Sequence, residues 1–442
     1  MQETPWGPLE LLREKRPPAG SRGEEAKRRQ RELFYAAMVA CCDERGFAET
    51  GVADLLRASG LSRGTFYAHF ADKFDCFGAA EAEMLRLGLA ELERSLRDEG
   101  DLAQRARHGL EAIVGLVIAQ PAAARACLID CYTAGEPGMS RMAAAIETVT
   151  ALARRTLGEL PWKLPMRDAL ARAIISGFFK VIYNRVAARR TEELRKLVPA
   201  LWEWALSYLG LPEPLRAGRA ASRDGAAALP PFAALSPEQR LIRAFAAVAA
   251  QRSYPATTVA DVCAAASASQ TTFYRYFADK RDLLAAALHS SGEQLLAAAL
   301  PAARRAPDWP SAVVAAVEEA CTFMAAEPDL TVLRTREVYA GGEEAIAIRD
   351  ATVMRALREL LAPALAERPE LPDCVPEAIG GAIIGVLYDA LHEGGPEGMP
   401  RAAPLVSYLV LAPLLGARRA HEVASAKPAS RARSRARGSK SS

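Results

Sequence analysis

Hydrophobic positions recur at three- and four-residue intervals along most of the chain. Between Glu24 and Arg45, Leu33, Phe34, Ala37, Met38 and Cys41 fall on one face of a helix whose first half is charged. The same spacing predicts helices over 73–99, 102–119, 122–132, 140–160, 166–190 and 191–209. It returns over 237–253, 280–305, 310–326, 330–339, 343–366, 375–393 and 401–416. No run shows the period of two that a half-buried strand needs. The pattern predicts an all-α fold whose helices bury their stripes on one another. Two segments lack a stripe. Residues 211–235 are rich in Pro, Gly, Ala and Arg and read as a linker of roughly 27 Å r.m.s. span. Residues 418–442 carry eight Lys/Arg against one Glu and read as a disordered basic tail.

One stretch occurs twice. Gly46–Asp75 reads GFAETGVADLLRASGLSRGTFYAHFADKFD, and Ser253–Asp282 reads SYPATTVADVCAAASASQTTFYRYFADKRD. The offset is 207 residues throughout, and fourteen of thirty positions are identical, which marks an internal repeat. Each copy predicts three short helices. Thr50 is expected to cap one over 52–59, and Gly60 to turn the chain. Ser62 then caps a second over 63–69, and Asp72 a third, with Asp75 in its first turn. Two short helices joined by a tight turn make a helix-turn-helix, whose second helix enters a DNA major groove.

SGLSRGTFYAHFADKFD resembles the signature of the TetR/AcrR family of bacterial transcriptional regulators. The second copy departs from it, with Ser267, Thr271 and Tyr276 in place of Gly60, Gly64 and His69. Ile182-Tyr183-Asn184 is echoed by Leu387-Tyr388-Asp389, and Ser207-Tyr208-Leu209 by Ser407-Tyr408-Leu409. The resemblance thus implies a tandem duplication of two TetR-like units. The expected order is an irregular basic arm (1–21) with one short helical piece over 9–15, a DNA-binding head (22–82) and a helical ligand-binding and dimerisation domain (83–210). The linker follows, then a second head (236–288), a second helical domain (289–417) and the tail. The implied partners are operator DNA and a small-molecule effector. Dimerisation would be either an intramolecular pseudo-dimer or a homodimer with four heads. Gly177, Gly380, Gly381 and Gly385 would permit close helix approach there.

In the first recognition helix Phe66 and Phe70 should face the core. Ser62, Arg63, Gly64 and Thr65 lie toward DNA, with Arg63 suited to guanine O6 and N7 and Thr65 to a thymine methyl. Tyr67, His69 and Lys73 are candidates for phosphates; local packing for the first two and a solvated charge for Lys73 are the alternatives. The second copy offers Ser269, Gln270, Thr271, Thr272, Tyr274, Arg275 and Lys280. Gln270 would favour adenine, so two reading heads predict a non-palindromic operator. A second head that only packs is the other reading. The arm, with Arg13, Lys15, Arg16 and Arg22, is either solvated or a phosphate contact.

Composition narrows the class. The chain has 442 residues and a formal net charge of only +3, so affinity for nucleic acid must be local. Eight cysteines without a CxxC pair argue against disulfides and zinc, and Cys127 and Cys131, four apart, read as buried thiols. No nucleophile, base and orienter arrangement emerges, so neither an enzyme nor a cofactor is expected. The N-terminus lacks an apolar core, and the apolar stretches near 173–182 and 378–391 fall short of the ~20 residues of a bilayer span, which points to the cytoplasm. Effector-pocket residues stay unassigned: Tyr132, Phe178, Phe179, Tyr183, Phe323, Tyr339 and Tyr388 also fit an aromatic core. By resemblance the protein is a ligand-responsive repressor. The alternative is a non-specific architectural DNA binder.

Overall fold

The computed structural model describes residues 3–17, 23–97, 100–159, 166–210, 214–215 and 232–426. Among them there is no strand, and the fold is all-α. In the first half the helices are α1 (Leu9–Glu14), α2 (Glu24–Glu49), α3 (Val52–Ser59), α4 (Arg63–Tyr67), α5 (Lys73–Ser95) and α6 (Leu102–Ala119). They continue as α7 (Pro121–Arg125), α8 (Cys131–Thr133), α9 (Glu136–Gly158), α10 (Arg167–Ala187) and α11 (Leu194–Leu206). The second half holds α12 (Pro237–Arg252), α13 (Val259–Ala266), α14 (Gln270–Tyr276), α15 (Lys280–Arg304) and α16 (Trp309–Ala326). It ends with α17 (Pro328–Thr335), α18 (Gly342–Glu367), α19 (Cys374–Gly394), α20 (Met399–Leu415) and α21 (Ala417–Ala424).

Side-chain caps start many of these helices. Asp101 accepts from the Gln104 amide at 2.8 Å while Gln104 reaches back to the Asp101 amide, and Ser236 and Gln239 do the same for α12. Thr50 departs from expectation. It closes α2, its hydroxyl donating to Gly46 O, and Gly51 caps α3 with its amide bonded to Asp54 Oδ2 at 3.0 Å. The helix expected over 122–132 is interrupted by a π-turn, Ala126–Asp130.

The chain forms two compact units. One comprises Met1–Pro161, Phe178–Trp202 and Val338–Ala347; the other comprises Trp162–Gly177, Glu203–Glu337 and Ile348–Ser442. Each unit is drawn mainly from one half and takes in a shorter stretch of the other. In the first unit α2 packs on α3, α5 and α7, and α5 on α6 and α9. In the second, α12 packs on α13, α15 and α17, and α20 on α16, α19 and α21.

The arm carries its short helical piece at Leu9–Glu14 and is otherwise irregular over its described residues. Leu9 is buried with Ala36, Ala37 and Ala40, and Trp6 and Leu12 pack on the same cluster, so apolar burial pins it to α2. The tail begins later than residue 418, because α21 buries Ala420 and Ala424. Most of the expected linker, and residues 427–442, lie outside the described residues. Cys374–Gly394 and Pro396–Leu415 are also long and apolar enough to cross a membrane by length and composition, contrary to the reading of short apolar stretches. In the second, 78% of the apolar window is buried inside the protein.

Glu81 of α5 is fully buried. Arg141 donates to its Oε2 at 2.7 Å, while Oε1 has no hydrogen-bond partner among the described residues. Burial outweighs Arg141 and pushes the carboxyl from 4.5 up to about 7. The neutral acid is therefore the better-tolerated form. The stability linked to it is present below pH 4.5 and lost as pH rises through about 7. Glu81→Gln should gain stability relative to the parent between pH 5 and pH 8 in chemical denaturation; a constant difference would contradict this.

Candidate nucleic-acid interface

Each head is a three-helix unit whose recognition helix stands between two stops. The first stop is a left-handed residue. Gly60 ends α3 at φ 70°, and Ser267 ends α13 at φ 51°. A side chain there costs roughly 1–2 kcal/mol, so the second head keeps the turn at some expense. The second stop is the next helix cap. Asp72 accepts from the Asp75 amide at 2.9 Å, and Asp279 from the Asp282 amide at 2.8 Å.

The recognition helices begin alike. Ser62 Oγ accepts from the Thr65 amide at 3.1 Å and lies 2.9 Å from Thr65 Oγ1; Ser269 and Thr272 repeat this at 3.0 and 2.9 Å. These hydroxyls are spent on aiming the helix. Phe66 and Phe70 are buried, and so are Phe273 and Phe277. Phe34 of α2 meets Phe66 edge-on at 5.3 Å and Phe70 at 5.8 Å. The opposite face is thereby turned outward. Arg63, Gly64 and Ala68 are exposed, Tyr67 is 51% exposed, and the Arg63 guanidinium lies 5.9 Å from the Tyr67 ring centre. In the second head Gln270, Thr271, Arg275, Tyr276 and the 59% exposed Tyr274 face out.

The two lysines do something other than expected. Lys73 Nζ donates to the carbonyls of Phe47, Ala48 and Thr50 at 3.2, 3.0 and 2.9 Å. Lys280 Nζ donates to those of Tyr254, Pro255 and Thr257 at 3.0, 3.2 and 2.9 Å. An ammonium has three donors, so none is left for a phosphate. Lys73 thus caps the C-terminal end of α2, and Lys280 ties down the turn that follows α12. His69 is also tied inward, its Nε2 2.9 Å from Oε1 of the buried Gln30. Partial burial, with Arg31 and Lys27 nearby, holds its imidazole below the usual pKa. At neutral pH it is an uncharged packing group.

The arm reaches the same turn. Arg16 Nη1 donates to Gly60 O at 3.0 Å, two residues before the cap of α4. Sequence reasoning missed a further pair of residues. Asp130 Oδ1 accepts from the Phe47 amide at 3.0 Å, and Glu337 Oε2 from the Tyr254 amide at 2.6 Å. The signal was available, because 130 and 337 keep the 207-residue offset, as do Tyr132 and Tyr339. All eight cysteines are buried and free, and no group of three or more His, Cys, Asp or Glu suited to a metal occurs among the described residues.

The family model of bacterial regulatory proteins, tetR family, matches residues 35–80 and again residues 241–287. The chain carries two tetR-family domains in tandem. Both matches cover the helices described above, so the two exposed recognition faces belong to TetR-type DNA-binding domains. These two domains mark the protein as a DNA-binding transcriptional regulator. No curated protein matches the sequence. Among solved structures it is similar to the fatty acid degradation regulator FadR from Bacillus halodurans, at 16% identity and a TM-score of 0.38, over 43% of this chain and 98% of that one. FadR from Bacillus subtilis, solved in complex with stearoyl-CoA, is similar at 16% identity and a TM-score of 0.36, over 39% and 96% of the two chains.

Two substitutions separate scaffold from reader. Lys73→Met should lower unfolding free energy by about 1–3 kcal/mol, read by chemical denaturation, because three carbonyls lose their donor. Arg63→Ala should leave the unfolding midpoint unchanged and weaken operator binding by about 1–3 kcal/mol, read by titration at fixed salt. Equal effects of both on stability would refute the division.

Proposed function

We propose that this regulator is a ligand-responsive repressor that grips one operator with both heads, as an intramolecular pseudo-dimer in the cytoplasm. One observation carries the pseudo-dimer reading. Inside one compact unit the fully buried Tyr208 donates to Leu409 O at 2.9 Å, and the fully buried Tyr408 donates to Tyr208 O at 3.1 Å. Near-reciprocal bonds between equivalent residues are the mark of an isologous contact, here between the two halves of one chain. The start of α10 supports the same reading. Arg172 Nε bonds Asp389 Oδ2 at 3.0 Å, and a Cβ on Gly177 would come within 2.8 Å of Ala378 O. These helices belong to the helical domains, where the family resemblance puts dimerisation.

The heads differ where bases are read. Arg63 faces Gln270, Gly64 faces Thr271 and Ala68 faces Arg275 in the repeat alignment. A basic guanine reader paired with an adenine-favouring amide calls for two unlike half-sites. Binding of a small molecule to the helical bodies would then favour one head arrangement over another and lower operator affinity.

Footprinting on DNA upstream of the gene, with the mass of the complex in solution, tests the reading. One chain per site is expected, over two non-identical half-sites. Arg63→Ala should thin protection on one half and Gln270→Ala on the other. The site should be preferred over random DNA by ~10³ or more. Two chains on a perfect inverted repeat, or equal affinity for random DNA, would overturn it.

A further inference from the structure

The break at the end of each scaffold helix leaves one amide without a helical acceptor. In α2 the break is Gly46 at φ 78°, ψ 159°; after α12 it is Ser253 at φ 77°, ψ 153°. The amides that follow, of Phe47 and Tyr254, are the ones that Asp130 and Glu337 accept. Both acids are buried, and both come from the helical body rather than the head. Asp130 ends a π-turn, an irregularity found often at functional positions. Its Oδ2 is buried with no hydrogen-bond partner among the described residues, whereas Glu337 Oε1 also receives Arg336 Nε at 2.7 Å.

Two residues beyond each acid stands a tyrosine. Tyr132 lies in α8, directly after the π-turn. Tyr339 lies in the short 3-10 helix Glu337–Gly341 that begins with the other acid. The two rings stack, with centres 5.7 Å apart and planes inclined by 20°. Each acid therefore shares one short, stiff segment with one ring of the pair.

We propose that Asp130 and Glu337 are positioning residues for the two DNA-reading heads, and that the Tyr132–Tyr339 stack makes their settings interdependent. Movement of either acid turns its segment and shifts the ring that segment carries. Packed rings re-seat together, so the disturbance reaches the other clamp. The inference rests on the heads being the DNA readers, but the clamp and its coupling are measurable without DNA.

The test is amide hydrogen exchange on the full-length protein, read at Phe47 and Tyr254. In Asp130→Ala the Phe47 amide should exchange about tenfold faster, the loss expected for one buried hydrogen bond to a charged group. The Tyr254 amide, bonded to the untouched Glu337, should also quicken. Adding Tyr132→Leu should return Tyr254 to its parental rate while Phe47 stays fast. Glu337→Ala is the reciprocal variant and gives the same reading in the opposite direction if Asp130→Ala folds poorly. An unchanged Phe47 rate in Asp130→Ala would overturn the clamp. A fast Phe47 with an unchanged Tyr254 would overturn the coupling. Operator titration on the same variants completes the test: unaltered affinity with a fast Phe47 would overturn the positioning role. Failure of the parent protein to bind any DNA would instead strike the reading of the heads.

Discussion

An ammonium group wholly engaged by backbone keeps each DNA-reading head in shape. Helix α2 runs to a glycine break and then ends, which leaves a cluster of carbonyls with no helical donors ahead of them. Lys73, the first residue of α5, supplies three donors to that cluster and lies 4.7 Å from the Phe47 ring centre. It thereby ties the helix that enters the head to the helix that leaves it. The recognition helix is seated between the two by Phe66 and Phe70 against Phe34. The outward face of Arg63 and Tyr67 is thus set by bonds that never meet DNA. Lys280 and the Tyr254 ring, 4.5 Å apart, repeat the arrangement in the second head.

Local signals made the heads legible. Ser62, Asp72 and Gly60 act within three or four residues, so their types and order suffice to announce caps and a turn. The same reading missed the bonds of Lys73, because a sequence displays the cation and not its acceptors, which lie 23 to 26 positions away. Thr50 misled for a related reason: a hydroxyl before a helix reads as its cap, but this one bonds back to Gly46. The bodies were legible as helices and not as packing. Tyr208 finds Leu409 across 201 positions, and nothing in the spacing of a helix names such a partner. Asp130 and Glu337 were findable by carrying the repeat register past the heads, and were passed over because no local pattern marks them.

The two heads have diverged unevenly. Backbone geometry is kept even where the residue suited to it is gone. Ser253 and Ser267 hold left-handed conformations where Gly46 and Gly60 sit without strain. Capping hydroxyls, buried phenylalanines and the lysine are kept as well. Buried positions change conservatively, as Leu55 to Val262 and Ser59 to Ala266, whereas the outward face changes in kind at Gln270, Thr271, Arg275 and Tyr276. The copies therefore share a scaffold and differ in chemistry, as expected when the constraint on folding and the constraint on reading fall on different residues.

The tyrosine pair buried between helices of the two halves also changes how the molecule meets dilution. A regulator assembled from separate chains must first find its partner, and the paired fraction falls as copies become scarce. On the pseudo-dimer reading proposed above, the complementary surface travels on the same chain, at an effective concentration set by the chain itself and not by expression level. The stoichiometry of one head of each kind is permanent, and exchange with foreign subunits has no free surface to start from at Tyr208 and Tyr408. A few molecules per cell would keep the same paired architecture as thousands.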